Sequence, residues 1–238
     1  EAALHAKMSG YGGFRHNAQS ARTVDYLEDR YDHGLGLNLT LALRKSLLKG
    51  RVPDGFPVSP DLLPQGDVPV EAHLVDLCDR IAYLSHDLDD GLRAGMFAER
   101  EAAGLALWQD ARAACDSDNR QRIVSEVTSL LINDVVVTCD EILTGAPAGE
   151  RPPRPRHSET MAQKAQELLS FLRARFYRAP RVLEVMERGA TRIQVAFDRL
   201  RDDPSPMSAR RQRRIEEDGL ERTICDYIAG MTDRFLMK

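Results

Sequence analysis

The chain has 238 residues, a net charge of −4, and 42% hydrophobic against 29% charged residues. That is the composition of a soluble globular protein with one large domain or two small ones. It excludes a general basic footprint for nucleic acid, leaving only a local patch open, and no apolar run nears the ~20 residues that a bilayer span needs.

Taken in order, Glu1–Met8 predicts a short helix closed by Ser9-Gly10 and Gly12-Gly13. Asn17–Arg30 predicts a second helix, with Val24, Tyr26 and Leu27 giving a partial apolar face. Gly34-Leu35-Gly36 breaks the chain. Asn38 suits the N-cap of a helix over Leu39–Leu48, and Gly50 ends it. Arg51–Pro69, with five prolines, predicts a long irregular loop.

Glu71–Gly95 predicts the central helix. Leu74, Leu77, Cys78, Ile81, Leu84, Ser85 and Leu88 recur at helical spacing as one apolar stripe. Asp79, Tyr83 and Asp87 fall within roughly 80° on the opposite side, joined there by Asp76, His86 and Asp90. Read from spacing alone, this is an amphipathic helix with a solvated acidic face. Like charges at this spacing repel by a few tenths of a kcal/mol per pair, which a metal, an arginine or a charged His86 would offset.

Met96–Cys115 predicts one or two helices around Trp108. Ser117 or Asp118 is placed to cap a long helix over Arg120–Leu143, and Gly145–His157 predicts an exposed Pro/Arg-rich loop. Met161–Tyr177 is amphipathic through Leu168, Leu169, Leu172 and Phe176. Pro180 suits the first turn of a helix over Arg181–Leu200. Ser205-Pro206 predicts a cap before a closing stretch, Met207–Phe235. With no strict alternation and no Gly-rich phosphate loop, the expected fold is all-α without Walker-type nucleotide binding. Cys78, Cys115, Cys139 and Cys225 lie far apart and read as buried thiols in a reducing cytoplasm.

Four stretches carry a family resemblance. DLCDRIAYLSHDLDDGLRAG, GGFRHNAQSARTVDYLEDRY, FYRAPRVLEVMERG and ICDYIAGMTDRF resemble, respectively, the D-E-I-A-Y-x-x-H-D-L-D-D-G-L, G-G-F-E-H-N-A-Q-S-x-R, Y-R-H-P-R-V and V-x-D-Y-I-A-G-M-T-D-R segments of bacterial deoxyguanosine triphosphate triphosphohydrolase-like proteins. That family lies in the His-Asp (HD) metal-dependent phosphohydrolase superfamily. The resemblance implies an HD-type multi-helix bundle. It implies hydrolysis of a deoxynucleoside triphosphate to deoxynucleoside and inorganic triphosphate, with a divalent ion such as magnesium or manganese. It also implies a homo-oligomer, in many members a hexamer.

The same resemblance assigns roles residue by residue. Asp79 matches a metal ligand. Arg80 stands where a related hydrolase has a phosphate-contacting lysine. Tyr83 matches a tyrosine against the deoxyribose, and Asp87 an aspartate that accepts from the sugar 3′-hydroxyl. Tyr177 matches a tyrosine at the sugar and base end, and Arg181 is placed for a phosphate or a helix cap. His16 matches an active-site histidine, and Glu1 an acidic partner of an upstream histidine.

The family's H-D-x-x-H-P-P-F-G-H-x-G stretch, which holds most metal ligands, does not occur in this sequence. The expectation is therefore a fragment, inactive alone, whose ligand-bearing helices would pack on Leu77, Ile81 and Leu88. Residues 1–143 are expected to be the C-terminal part of the catalytic bundle, 144–157 the loop, and 158–238 a region completing the pocket and oligomer contacts. Two alternatives stay open: an HD phosphohydrolase for another nucleotide, and a non-catalytic dNTP-binding module.

Overall fold

A computed structural model describes residues 1–31, 35–48, 52–63, 68–145 and 153–236. It is all-α: among the described residues the β features amount to an isolated parallel bridge, Asp29 to Gly36. Gly34, Gly50, Arg51, Pro64, Arg151 and most of the Pro/Arg-rich segment lie outside the described residues. The chain forms two compact units. Unit 1 is Glu1–Val68 with Val185–Lys238, and unit 2 is Pro69–Glu184.

Unit 2 is built on α4 (Val70–Arg93). Ile81, Leu84, Leu88 and Leu92 bury at helical spacing, and α4 packs on α7 (Arg120–Gly145) and α8 (Glu159–Leu172). Trp108 and Ala111 of α6 (Ala106–Cys115) join the same core, as do Val127, Leu131 and Val135 of α7. Fully burying such side chains contributes about 1.5–3 kcal/mol each. The expected stripe holds from Ile81 onward. Before it the helix is more open: Leu74 and Cys78 are exposed, and Leu77 is part-buried. Ile81 and Leu88 are thus covered by unit 2 itself and need no further helices for their burial.

Gly91 sits inside α4, where glycine costs roughly 1 kcal/mol against alanine. The reason is contact: a Cβ there would lie 2.2 Å from the Phe97 ring. Phe97 in turn meets Phe171 edge-on, with centroids 4.8 Å apart.

Several ends differ from the sequence reading. Asn38 has a left-handed φ of 51° and cannot serve as an N-cap, which needs extended backbone. Thr40 caps α3 (Leu41–Leu47) instead. Asn119, rather than Ser117 or Asp118, caps α7, its Oδ1 accepting from the N–H groups of Gln121 and Arg122 at 3.0 and 3.3 Å. The second helix is α only over α2 (His16–Arg22) and then widens to a π turn, Thr23–Leu27. A second π turn, Arg173–Tyr177, follows α8. Met96–Cys115 forms two helices, the first being α5 (Glu99–Ala102).

Unit 1 joins α1 (Ala2–Lys7), α2 and α3 to the latter part of α9 (Pro180–Asp202) and the C-terminal helices. The closing stretch is broken into α10 (Ala209–Arg213), α11 (Ile215–Asp218), α12 (Leu220–Ala229) and α13 (Asp233–Leu236). Ser208 caps α10, so Ser205 is not the cap. Leu4, Met8, Phe14, Phe197, Ile224 and Ile228 form this unit's main core. Of the thiols only Cys225 is buried. Cys78 is exposed, and Cys115 and Cys139 are intermediate.

Gly91→Ala separates two effects on α4. Helix propensity alone would stabilise, but overpacking against Phe97 costs about 1–3 kcal/mol. Chemical denaturation should therefore show a net loss of stability; a gain would mean that the Phe97 ring moves aside without cost.

Candidate functional site

The helical period of α4 puts its two faces to different uses. With Ile81, Leu84 and Leu88 in the core, Asp79, Arg80, Tyr83 and His86 are exposed, and Asp76 and Asp87 are part-buried. Arg80 donates to Asp76 at 2.9 Å, one turn back. This pair partly offsets the acidic face, as the sequence anticipates for an arginine.

Asp87 is the residue that links α4 to a distant part of unit 2. The Tyr177 hydroxyl donates a hydrogen bond to Asp87 Oδ2, across 90 positions of sequence. Tyr177 reaches it because α8 widens into the π turn Arg173–Tyr177, and the Tyr177 ring also packs against Phe176 and the unit 2 core. Burial and the Asp87 carboxylate push the phenol above the usual tyrosine range, with the Tyr83 phenol a smaller contributor. Tyr83, Asp87 and Tyr177 thus form one patch. Arg181 is exposed in the first turn of α9, and Asp79 lies on α4 two turns before Asp87.

In unit 1 the structure pairs His16 with Glu1: the His16 Nδ1 and a Glu1 carboxylate oxygen are in hydrogen-bond contact. That hydrogen bond holds Glu1 below the usual carboxylate range. The pair lines a cavity of about 530 Å³ together with Gln19, Thr23, Ile193 and Met231.

What sequence reasoning missed is the buried network behind His16. Gln19 and Arg22 follow it at i+3 and i+6 on α2, and both are buried. Gln19 Nε2 donates to Asp226 Oδ1 at 2.8 Å, and Arg22 Nε donates to Asp226 Oδ2 at 2.9 Å. Arg22 also pairs with Asp218 at 2.9 Å. Burial opposes the Arg22 charge, but the two carboxylates outweigh it and raise its pKa. These contacts fix the face of α2 that carries His16. The signal was present in the quoted stretches GGFRHNAQSAR and ICDYIAG, which place both partners. Charge pattern alone does not say that two residues 204 apart will meet.

The chemistry expected of Asp79 requires further ligands. Among the described residues no group of three or more His, Cys, Asp or Glu side chains is arranged to hold a metal ion. Asp79 is exposed and supplies a single carboxylate. The residues present therefore do not by themselves fit a catalytic ion, which needs several donors to compete with hydration.

Comparison with known proteins supplies the family. Residues 156–238, which contain Tyr177 and Arg181, match the phosphohydrolase-associated domain. A deoxyguanosinetriphosphate triphosphohydrolase-like protein of Rhodopseudomonas palustris is 34% identical over 100% of this chain and 69% of its own length. The chain belongs to the deoxyguanosinetriphosphate triphosphohydrolase-like family.

Other members agree. The Geobacter metallireducens protein of that name is 35% identical over 100% of this chain and 66% of its own length. The Nitrosomonas europaea protein is 34% identical over 99% and 68%. The chain thus spans about two thirds of the length of these relatives. The HD-family relation implies a metal dependence in general. No helix among the described residues is long and apolar enough to cross a membrane.

The Tyr177–Asp87 hydrogen bond predicts an alkaline signature. A phenol whose folded pKa lies above the ordinary value of about 10 keeps its proton in the folded state at pH where the unfolded chain loses it. The folded state then binds more protons, so this contribution to stability falls as pH rises through that window. Burial and the Glu217 carboxylate also raise the Tyr26 phenol, so ultraviolet titration of tyrosinate should show two late-titrating phenols in the wild type, of which the latest disappears in Tyr177→Phe. An unchanged late phase would remove the hydrogen bond from the account.

Proposed function

We propose that this chain serves the hydrolysis of a deoxynucleoside triphosphate, dGTP or a close analogue, to deoxynucleoside and inorganic triphosphate. The observation that carries the reading is the Tyr177–Asp87 pair beside Tyr83. It joins two motif stretches of the family into one patch, with an aromatic ring and a carboxylate suited to a deoxyribose.

A carboxylate has about four acceptor sites on two oxygens. Asp87 can hold the Tyr177 hydroxyl on Oδ2 and still accept from a sugar 3′-hydroxyl. Tyr83, exposed on the preceding turn of α4, would crowd a 2′-hydroxyl and so favour the deoxy sugar. Arg80 would exchange Asp76 for a phosphate. An exposed ion pair of this kind contributes about 0–1 kcal/mol, so releasing it costs little. Arg181 is a further cation for the same task.

In the reaction a water oxygen bonds to the α-phosphorus and the bond from phosphorus to the 5′-oxygen breaks. The water gives up a proton, and the leaving 5′-oxygen gains one. His16, oriented by Glu1, is the residue of this chain suited to hold and deliver that proton. Asp79 would contribute one ligand to the metal that the family relation implies, and no step is drawn through that ion.

The test is release of inorganic triphosphate from dGTP with manganese or magnesium. It compares the chain alone with the chain joined behind the H…HD segment of a relative. The chain alone is expected to be inactive and the joined protein active. Asp79→Ala should abolish turnover of the joined protein. Asp87→Asn should weaken substrate binding by about 1–3 kcal/mol, the range for a hydrogen bond to a charged group. Triphosphate release by the chain alone, unaffected by Asp79→Ala, would overturn the assignment. Binding of dGTP by the joined protein without turnover would favour the non-catalytic module.

A further inference from the structure

Unit 1 holds a second cavity, of about 320 Å³, that the reaction above does not use. His5, Ser9, Gly13, Arg15, Pro53 and Asp54 line it. That volume is at the small end of the range for ligand pockets and suits a small ion. Its cation is a departure from the family pattern. Arg15 stands where the G-G-F-E-H-N stretch has Glu, so the charge directly before His16 is reversed. Arg15 has extended backbone, and its side chain lines this cavity while that of His16 lines the other.

The polar groups of the cavity suit an oxyanion. Arg15 Nε is buried and has no hydrogen-bond partner among the described residues. A buried charged donor without an acceptor is costly, and an anionic oxygen in the cavity supplies one. His5 is held by the backbone through one ring nitrogen: the Phe14 N–H donates to its Nδ1 at 3.2 Å. With Nδ1 accepting, the ring proton is on Nε2, which is left to donate to a ligand. In the imidazolium, Nδ1 donates instead to the Phe14 carbonyl oxygen 3.0 Å away, and Nε2 still carries a proton. Gly13 lets the His5 ring lie against the main chain, since a Cβ there would meet His5 Cε1 at 3.2 Å. Ser9 is exposed and adds a hydroxyl.

Asp54 decides which oxyanion fits. A carboxylate beside the cation repels an anion that has no proton to give, such as sulfate. Monohydrogen phosphate keeps one P–OH, which donates to a carboxylate while the other oxygens accept from Arg15, His5 and Ser9. A carboxylate has about four acceptor sites, so Asp54 can take this hydrogen bond alongside another contact.

We propose that the His5–Arg15–Asp54 cavity binds a protonated phosphate group, either free inorganic phosphate or the end of an inorganic triphosphate chain, and rejects sulfate. The proposal does not rest on the reaction assigned above. Its occupancy is nonetheless felt beside the candidate site. The hydrogen bond with His16 is the main cause of the low Glu1 pKa, and the Arg15 charge adds a smaller share that a bound anion weakens.

The experiment is NMR of the full chain at constant neutral pH and ionic strength. It follows the His5 ring signals, assigned with His5→Gln, as phosphate, tripolyphosphate or sulfate is added. The wild type should give saturable shifts with a phosphate probe and bind sulfate about tenfold more weakly. Whichever phosphate probe saturates at the lower concentration names the source. Arg15→Glu, which installs the residue of the family pattern, should abolish saturation. Arg15→Lys keeps the charge but not the planar fork and should weaken binding several-fold. Asp54→Asn should raise sulfate binding towards that of phosphate, a gain that loss of folding cannot produce. Shifts that stay linear with both phosphate probes overturn the proposal. So does an equal response to sulfate, saturation that Arg15→Glu leaves unchanged, or sulfate binding that Asp54→Asn does not raise.

Discussion

Unit 2 depends on one constraint: α4 must bury Ile81, Leu84, Leu88 and Leu92 against α7 and α8 while keeping its other face outside. A helix 24 residues long cannot rotate one side without moving the other. The burial of that stripe therefore fixes where Asp79, Arg80, Tyr83 and Asp87 stand. The omission of a side chain at Gly91 lets Phe97 close over the end of the stripe, and Phe171 of α8 then packs on Phe97. The π turn that follows α8 aims Tyr177 at Asp87. Core packing and the polar patch are in this sense two faces of one packing solution.

Unit 1 solves a different problem, with charge where unit 2 uses apolar area. Arg22, Arg214, Arg222 and Asp226 are all buried. Arg222 donates to the Tyr11 and Gly13 carbonyl oxygens, both at 2.8 Å, and so ties α12 to the turn before α2. That turn needs Gly12, whose φ is 80° and whose missing side chain lets the Gly55 carbonyl approach. Arg214 stacks on the Tyr26 ring at 3.6 Å. Removing one partner of a buried ion pair costs about 3–5 kcal/mol, because the other charge stays buried. Such a network specifies one arrangement of α2 and α12 and thereby the orientation of His16.

Much of this was legible in the sequence, and for identifiable reasons. The α4 stripe and the all-α class follow from helical periodicity, which is a local property. The patch residues Tyr83, Asp87 and Tyr177 were legible through family resemblance; periodicity places Tyr83 and Asp87 on one face but is silent about Tyr177. The π turns were not legible, because five residues of wider helix leave almost the same apolar spacing. The breaks in the closing stretch were hidden for a similar reason. Gly219, with φ of 83°, reads in sequence as a tolerable helix glycine. The Asp226 network was invisible because it depends on which distant elements meet. Around Asp79, expected as a metal ligand, the described residues gather no set of three or more His, Cys, Asp or Glu donors.

The central claim is that the Tyr83–Asp87–Tyr177 patch receives a deoxynucleoside. It is tested most directly without turnover, by following backbone amide shifts as the metal-free chain is titrated with dGTP and, separately, GTP. The account predicts saturable shifts concentrated around Tyr83, Asp87 and Tyr177, larger for dGTP and lost in Asp87→Ala. Shifts confined to other residues, or equal responses to the two nucleotides, would contradict it.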